Sequence, residues 1–183
     1  MSGADTYIML MSSLPDLGGF LEAESPPINR LQIEERLAML SPEDRAEIDA
    51  VTSVLSWDRI RAEDEDADTE EAPEEEPAAT VLANAERVSA ALRSETLRHF
   101  VRDRLEIRTI IAALRRRHAG EEAPAPDTRW GFGRFKETIR ANWADPSFGV
   151  GRAFPWIAPA REKLESGDTA GFERLALKAV WDT

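Results

Sequence analysis

The sequence contains no cysteine, which excludes disulfide bonds and thiolate chemistry and fits a reducing compartment. It also lacks any apolar run close to the roughly 20 residues that a membrane-spanning helix needs. The longest apolar run near the start, residues 7–11, is too short for a signal-peptide core, and Asp5 stands where such a peptide has basic residues. We therefore expect a cytoplasmic protein with no direct membrane span.

Motifs for catalysis and for cofactors are missing as well. The two histidines, His99 and His118, lie too far apart along the chain to form a metal-binding pair on one helix. There is no Gly-x-Ser-x-Gly nucleophile elbow and no Gly-Lys-Ser/Thr phosphate loop. The sequence Gly-Phe-Gly at 131–133 lacks the third glycine and the preceding strand of a nucleotide-binding motif. We therefore expect no enzyme, and no catalytic, cofactor-binding or metal-binding residues.

Lysine is scarce, and the acidic charge is concentrated in one place. Most of the 23 basic residues are arginine, a bias typical of codon composition, so arginine positions are more informative than their number. Residues 63–76 hold ten carboxylates and no basic residue, which accounts for most of the net charge of −12. We predict that residues 61–79 form a flexible linker, either a disordered insertion or an acidic tether for a basic partner. The lack of a basic domain argues against nucleic-acid binding.

The rest of the chain has helical periodicity and no strand-like alternation of Val, Ile or Thr. We predict an all-α fold with one domain over 1–183, a bundle of about six to eight helices. In it, the acidic loop joins an N-terminal helical pair to a C-terminal helical body. The predicted helices span residues 29–40, 42–60, 80–118 with a break near 93–94, 132–143, 159–165 and 170–181. Residues 5–17 fit either a short helix or a short strand.

The longest helical pattern, residues 93–118, carries arginines on its apolar face. At about 100° per residue, its apolar side chains fall on one arc, and Arg104, Arg108 and Arg115 project near the middle of that arc. A guanidinium on a buried face needs acidic or backbone partners, because an unpaired buried charge is very costly. The partner is either an internal acid (Glu86, Asp103 or an acid near the C-terminus) or a group on another protein.

Tryptophan is concentrated in the last third of the chain, which holds four of the five tryptophans. These residues either fill the core or form a patch that contacts a partner, since tryptophan and arginine are enriched among interface hot spots. The candidate interface residues are Arg104, Arg108, Arg115, Trp130, Trp143 and Trp156.

Several segments share a pattern with one known family. The chain opens with YIMLMSSLPDL at 7–17, a tyrosine-led apolar run that ends in SLP, and LSPED follows at 40–44. DPSFG at 145–149 and the last helical stretch, 173–181, complete the pattern. These segments resemble a bacterial domain family of unknown function whose genes lie within V-type (V/A-type) ATPase operons.

The arginine-bearing stretch at 100–120 adds to this resemblance. Glu106 and Ile107 form an acidic–hydrophobic pair, and the stretch ends in Arg-Arg-Arg-His-Ala-Gly at 115–120. It is similar to the arginine-ended helix of the central-stalk socket protein of V/A-type ATPases, which is designated C, or d in eukaryotes. Arg108 or Thr109 stands where that helix usually has asparagine.

The resemblance implies a non-catalytic, all-helical subunit of a bacterial V-type ATPase, at most an accessory subunit of a proton- or sodium-translocating enzyme. The socket protein sits on the membrane rotor ring and receives the lower end of the central stalk. The implied partners are therefore the rotor stalk subunits and the rotor ring, at the cytoplasmic face of the inner membrane. The alternative is a stand-alone helical adaptor or assembly factor for a protein complex.

Overall fold

The structure is a computed structural model that describes residues 3–16, 18–22, 25–55 and 78–183. Every regular element in these residues is an α-helix, so the all-α prediction is confirmed. The eight described helices are α1 (Gly3–Ser13), α2 (Arg30–Leu37), α3 (Pro42–Leu55), α4 (Ala78–Ala91), α5 (Glu95–His118), α6 (Lys136–Ala141), α7 (Ile157–Glu165) and α8 (Thr169–Trp181).

The described residues fall into two compact units, within Met1–Thr52 and Ser53–Thr183, here called unit 1 and unit 2. The single domain over 1–183 stays a prediction. The acidic linker predicted at 61–79 lies outside the described residues, except for its last two residues, which begin α4.

Capping side chains set the helix starts that the sequence predicts. The Ser41 hydroxyl accepts a hydrogen bond from the Asp44 N–H at 3.1 Å at the start of α3. Ser94 accepts from the Leu97 N–H at the start of α5, which produces the predicted break between α4 and α5. Asp168 accepts from a backbone N–H in the same way at the start of α8.

Unit 1 contains α1, α2 and most of α3, and polar contacts join them. The Tyr7 hydroxyl of α1 donates to the Asp44 carboxylate of α3. Arg36 of α2 donates to the Ser13 carbonyl at the end of α1, at 3.0 Å. The segment that the sequence left open between helix and strand is helical through Ser13, and these two hydrogen bonds hold it near its middle and at its C-terminal end.

The core of unit 2 forms where α5, α6, α7 and α8 meet. Its central side chains are Ile110, Ala113, Leu114, Ile139, Phe148, Val150, Ile157, Ala160 and Phe172. Fully burying a large apolar side chain contributes about 2 kcal/mol to stability, so this cluster is the main source of stability of unit 2.

Two predicted helix starts differ from the structure. Helix α6 begins at Lys136 rather than at residue 132, because a loop over 131–134 is fastened to α5 by hydrogen bonds. Helix α7 begins at Ile157, two residues before Pro159. Proline is tolerated there because the first-turn N–H groups have no intrahelical acceptor.

Candidate functional site

Helix α5 is the element that carries most of the predicted site, and one face of it is deeply buried. Val101, Ile110 and Leu114 are at most 1% exposed and point into unit 2. The three candidate arginines of this helix do not share that environment. Arg104 and Arg108 are partly buried, whereas the Arg115 side chain is 55% exposed. Arg115 therefore lies at the edge of the apolar face and not near its middle.

Arg108 has its acceptors inside unit 2. Its guanidinium donates to the Val54 carbonyl at 3.4 Å and to the Leu55 carbonyl. Val54 and Leu55 are the last two residues of α3 that the structure describes. Arg108 thus stabilises the end of another helix, which is one of the two alternatives that the sequence left open.

Arg115 also finds an internal partner, an acid near the C-terminus. Its guanidinium lies 2.6 Å from the Glu173 carboxylate of α8 and over the Phe172 ring, 5.5 Å from the ring centroid. Because both charged side chains are about half exposed, we expect this pair to contribute less than about 1 kcal/mol. The pair joins α5 to α8 at the surface of unit 2.

The three candidate tryptophans pack against the core of unit 2. Trp130 and Trp143 meet edge to face at 6.2 Å between ring centroids, and Trp156 is partly buried against the same core. The Trp143 indole N–H donates to the Glu121 carbonyl at 3.0 Å. The Trp130 indole N–H is buried and has no hydrogen-bond partner. Core filling accounts for these contacts, and a contact with a partner remains a prediction.

An ion pair that the sequence did not reveal joins the buried Glu106 of α5 to the half-exposed Arg134. The Glu106 side chain is 2% exposed, and its carboxylate accepts from the Arg134 guanidinium at 2.8 and 2.9 Å and from the Arg134 backbone N–H at 2.7 Å. The Glu106 hydrogen bond is the main cause that raises the pKa of Arg134. Glu106, which is part of the family-like motif, therefore connects α5 to the loop that follows it.

The Gly-Phe-Gly sequence has a structural explanation in the same loop. The Phe132 N–H donates to the Thr109 hydroxyl at 2.8 Å, which holds the loop against α5. A Cβ on Gly133 would lie 2.1 Å from the Glu106 Cγ, and Gly133 has a φ of +96°. Only glycine combines this close approach with this backbone conformation. The two glycines thus allow the loop to lie on α5.

The DPSFG segment forms a tight turn that Arg117 holds from α5. The Arg117 guanidinium donates to the carbonyls of Trp143, Asp145 and Pro146 and stacks over the Phe148 ring at 4.0 Å. Burial is the main cause that lowers the pKa of Arg117.

Asp145 stabilises the same turn from inside. Its carboxylate accepts from the N–H groups of Ser147 and Gly149, at 2.8 and 3.0 Å, and these bonds hold the pKa of Asp145 below its usual range. The turn places Phe148 at a positive φ of 55° and fully buries its ring. The segment that carries part of the family resemblance is therefore a determinant of the fold.

A shallow pocket of about 270 Å³ opens beside the Glu106–Arg134 pair. The charged side chains that line it pair with one another: Arg134 pairs with Glu106 and also lies 3.3 Å from the Asp103 carboxylate. In the described part of the chain, no group of His, Asp and Glu side chains has the arrangement of a metal site. No described helix is long and apolar enough to cross a membrane.

Unit 1 presents a feature that sequence reasoning did not identify as a surface. Five large apolar side chains of the opening segment are exposed, whereas Leu10 is buried, at 8% exposure. The exposed residues are Tyr7 (37%), Ile8 (65%), Met9 (54%), Met11 (68%) and Leu14 (45%), here called the α1 surface. Neighbouring exposed apolar side chains are typical of a surface that contacts another molecule, so the α1 surface suits such a contact.

Comparisons of the chain with protein-family models, with curated proteins and with solved structures found no match. The family resemblance of the opening, central and closing segments therefore stays a hypothesis.

Proposed function

We propose that this chain is a non-catalytic helical subunit of a bacterial V-type ATPase that joins the soluble rotor stalk to the membrane rotor ring. The observation that carries the proposal is that the segment with the family-like opening is also exposed. Residues 7–17 carry the opening of the family resemblance, and their described part also forms the α1 surface, an exposed apolar surface. A subunit whose task is to seat against other subunits needs such a surface.

The size of the exposed side chains supports an interface over a merely tolerated exposure. Single exposed apolar residues are common on soluble proteins. Here, however, Ile8, Met9 and Met11 are each more than half exposed on one helix of 11 residues. Methionine side chains are adaptable and recur on surfaces that bind partner proteins. We therefore assign the contact with the ATPase to the α1 surface.

Unit 2 supplies the rigid body that transmission of torque requires. Helix α5, with 24 residues, is about 36 Å long. Arg117 fastens it to the turn at 145–149, and Glu106 fastens it to the loop before α6. Because these contacts are distributed along the helix, a force applied to α5 is shared by the whole helical body.

The alternative function is a stand-alone helical adaptor or assembly factor for a protein complex. The same α1 surface favours it, since a short apolar helix suits a reversible contact in a partner's groove. Such an adaptor would leave the complex once its partner is assembled, whereas a stalk subunit would remain.

Co-purification tests the proposal. A tagged chain expressed in the bacterium that encodes it, together with that cell's V-type ATPase, is expected to recover the rotor stalk and ring subunits at constant stoichiometry. The recovered complex is then tested for ATP hydrolysis. Recovery of the tagged chain without ATPase subunits would sink the proposal. Recovery only with incompletely assembled, inactive complexes would favour the assembly factor.

A further inference from the structure

The three candidate arginines of α5 differ in whether the guanidinium has a hydrogen-bond acceptor. Arg108 donates to backbone carbonyls, and Arg115 pairs with Glu173. For Arg104, no hydrogen bond or ion pair is found with any residue that the structure describes, and its Nε is buried without a hydrogen-bond partner. An arginine in this state is unusual, because a guanidinium is always charged and carries five N–H donors.

The acids close to Arg104 on the same helix are already engaged elsewhere. Asp103 lies 3.3 Å from both the Arg102 and the Arg134 guanidinium groups. The buried Glu106 carboxylate pairs with Arg134. Neither carboxylate can turn to Arg104 without breaking a contact that fastens the loop after α5.

The surroundings of Arg104 raise the cost of leaving it without an acceptor. Its guanidinium lies 4.9 Å from the centroid of the Phe100 ring, which favours a cation but accepts none of its N–H groups. Burial, together with the nearby positive charge of Arg108, lowers the pKa of Arg104. The terminal N–H groups of Arg104 are not buried as its Nε is, so an acceptor from outside the chain would pair with them and place a negative charge beside the guanidinium.

We infer that Arg104, backed by the Phe100 ring, binds a carboxylate side chain of a partner protein. The inference deepens the proposed function and rests on it, since the partner is the complex in which the chain assembles. It also gives the three arginines different roles: Arg108 and Arg115 have structural roles, and Arg104 contributes to binding. A guanidinium fits a carboxylate in a bidentate geometry, which gives the contact a defined orientation.

The first test measures the stability of the isolated chain. Arg104→Met keeps much of the side-chain volume and removes a charge that has no acceptor, so we expect the melting temperature to rise by about 2 to 4 °C. Arg108→Met removes donors from the last turn of α3, so the melting temperature should fall. A fall with Arg104→Met comparable to that of Arg108→Met would show that the acceptor lies within this chain and would overturn the inference.

The second test measures recovery of the V-type ATPase subunits with the tagged chain. Arg104→Met should reduce recovery by about tenfold or more, and Arg104→Lys should restore part of it. Arg140→Met is the control, since Arg140 pairs with Glu137 of its own helix and should leave recovery unchanged. Full recovery with Arg104→Met would overturn the inference.

Two further outcomes distinguish the inference from the proposed function. If the unaltered chain recovers no ATPase subunits, the proposed function fails, and the melting temperature of Arg104→Met alone decides whether the acceptor is external. Inorganic phosphate is the probe for a different ligand. If phosphate stabilises the unaltered isolated chain but not Arg104→Met, the site takes a phosphate group and the assignment to a protein carboxylate is overturned.

Discussion

The two units differ in where they place their large apolar side chains. Among the described residues, the largest fully buried side chains all belong to unit 2, with Phe148 and Phe172 the bulkiest. Most of the exposed large apolar side chains belong to unit 1, and the α1 surface contributes five of them. Unit 2 can therefore stand as a folded body from its own core, while unit 1 presents apolar area that only another surface can cover.

The polar contacts of the two units show a matching contrast. In unit 2, charged groups such as Glu106 and Arg117 fasten loops to α5 through several hydrogen bonds each. In unit 1, single side-chain contacts hold α1, one from Tyr7 near its middle and one from Arg36 at its C-terminal end. In our proposal, unit 1 provides an apolar contact surface, and unit 2 provides a folded body that carries Arg104 as a second contact.

The largest expected effect on stability comes from removing one large side chain from the core of unit 2. Phe172→Ala removes a ring that is 1% exposed, so we expect a loss of about 3 to 5 kcal/mol in the free energy of unfolding, measured by urea denaturation. Leu177→Ala, on the same helix but 52% exposed, is the matched control and should cost less than about 0.5 kcal/mol. Equal losses of unfolding free energy for the two variants would contradict the expected difference between the buried and the exposed position.

A smaller effect is expected from the ion pair between the buried Glu106 and the half-exposed Arg134. Arg134→Met leaves the Glu106 carboxylate buried without its counter-charge, so we expect a loss of about 2 kcal/mol in the free energy of unfolding. The control Lys178→Met breaks a pair whose two side chains are both about half exposed, and it should change stability by less than about 0.5 kcal/mol. A loss no greater than that of the control would mean that Glu106 does not fasten the loop.

The turn at 145–149 predicts a pH effect. The lowered pKa of Asp145 in the folded state means that its charge adds stability above the unfolded pKa. This contribution is complete above about pH 5 and is lost as the pH falls through the folded-state pKa. Asp145→Asn should therefore lower the melting temperature near neutral pH, and its difference from the unaltered chain should shrink on acidification. A difference that does not change with pH would contradict this role of the charge.

The smallest effect on stability is expected at the α1 surface. Met11→Ser should change the free energy of unfolding by less than about 0.5 kcal/mol, because Met11 is 68% exposed. It should still reduce binding of a hydrophobic dye to the folded chain, since it removes apolar surface. A stability loss above about 1.5 kcal/mol would show instead that Met11 packs within the chain.

Local signals in the sequence were sufficient to predict the fold class and several helix starts. Ser41, Ser94 and Asp168 are capping residues followed by helical periodicity, and each one begins a helix. Local sequence also indicated that the arginines of α5 need partners. The internal acid predicted near the C-terminus is Glu173, the partner of Arg115.

The contacts that position the site join residues far apart in the sequence, and local patterns do not reveal them. Glu106 and Arg134 meet only because Gly133 lets its loop approach α5. The left-handed backbone at Phe148 depends on Asp145 and Arg117, which hold the turn from two sides. The exposure of the α1 surface could not be predicted from the sequence either, because a short apolar run does not indicate which of its side chains the fold will bury.

The central claim is that the α1 surface is where this chain engages the ATPase. The most direct measurement is the amount of V-type ATPase rotor subunits recovered with a tagged chain that carries both Ile8→Glu and Met11→Glu. Leu177→Glu, at an exposed apolar position of unit 2, is the control. We expect recovery to fall about tenfold or more with the double variant and to stay unchanged with the control. Undiminished recovery with the double variant, or no recovery with the unaltered chain, would contradict the claim.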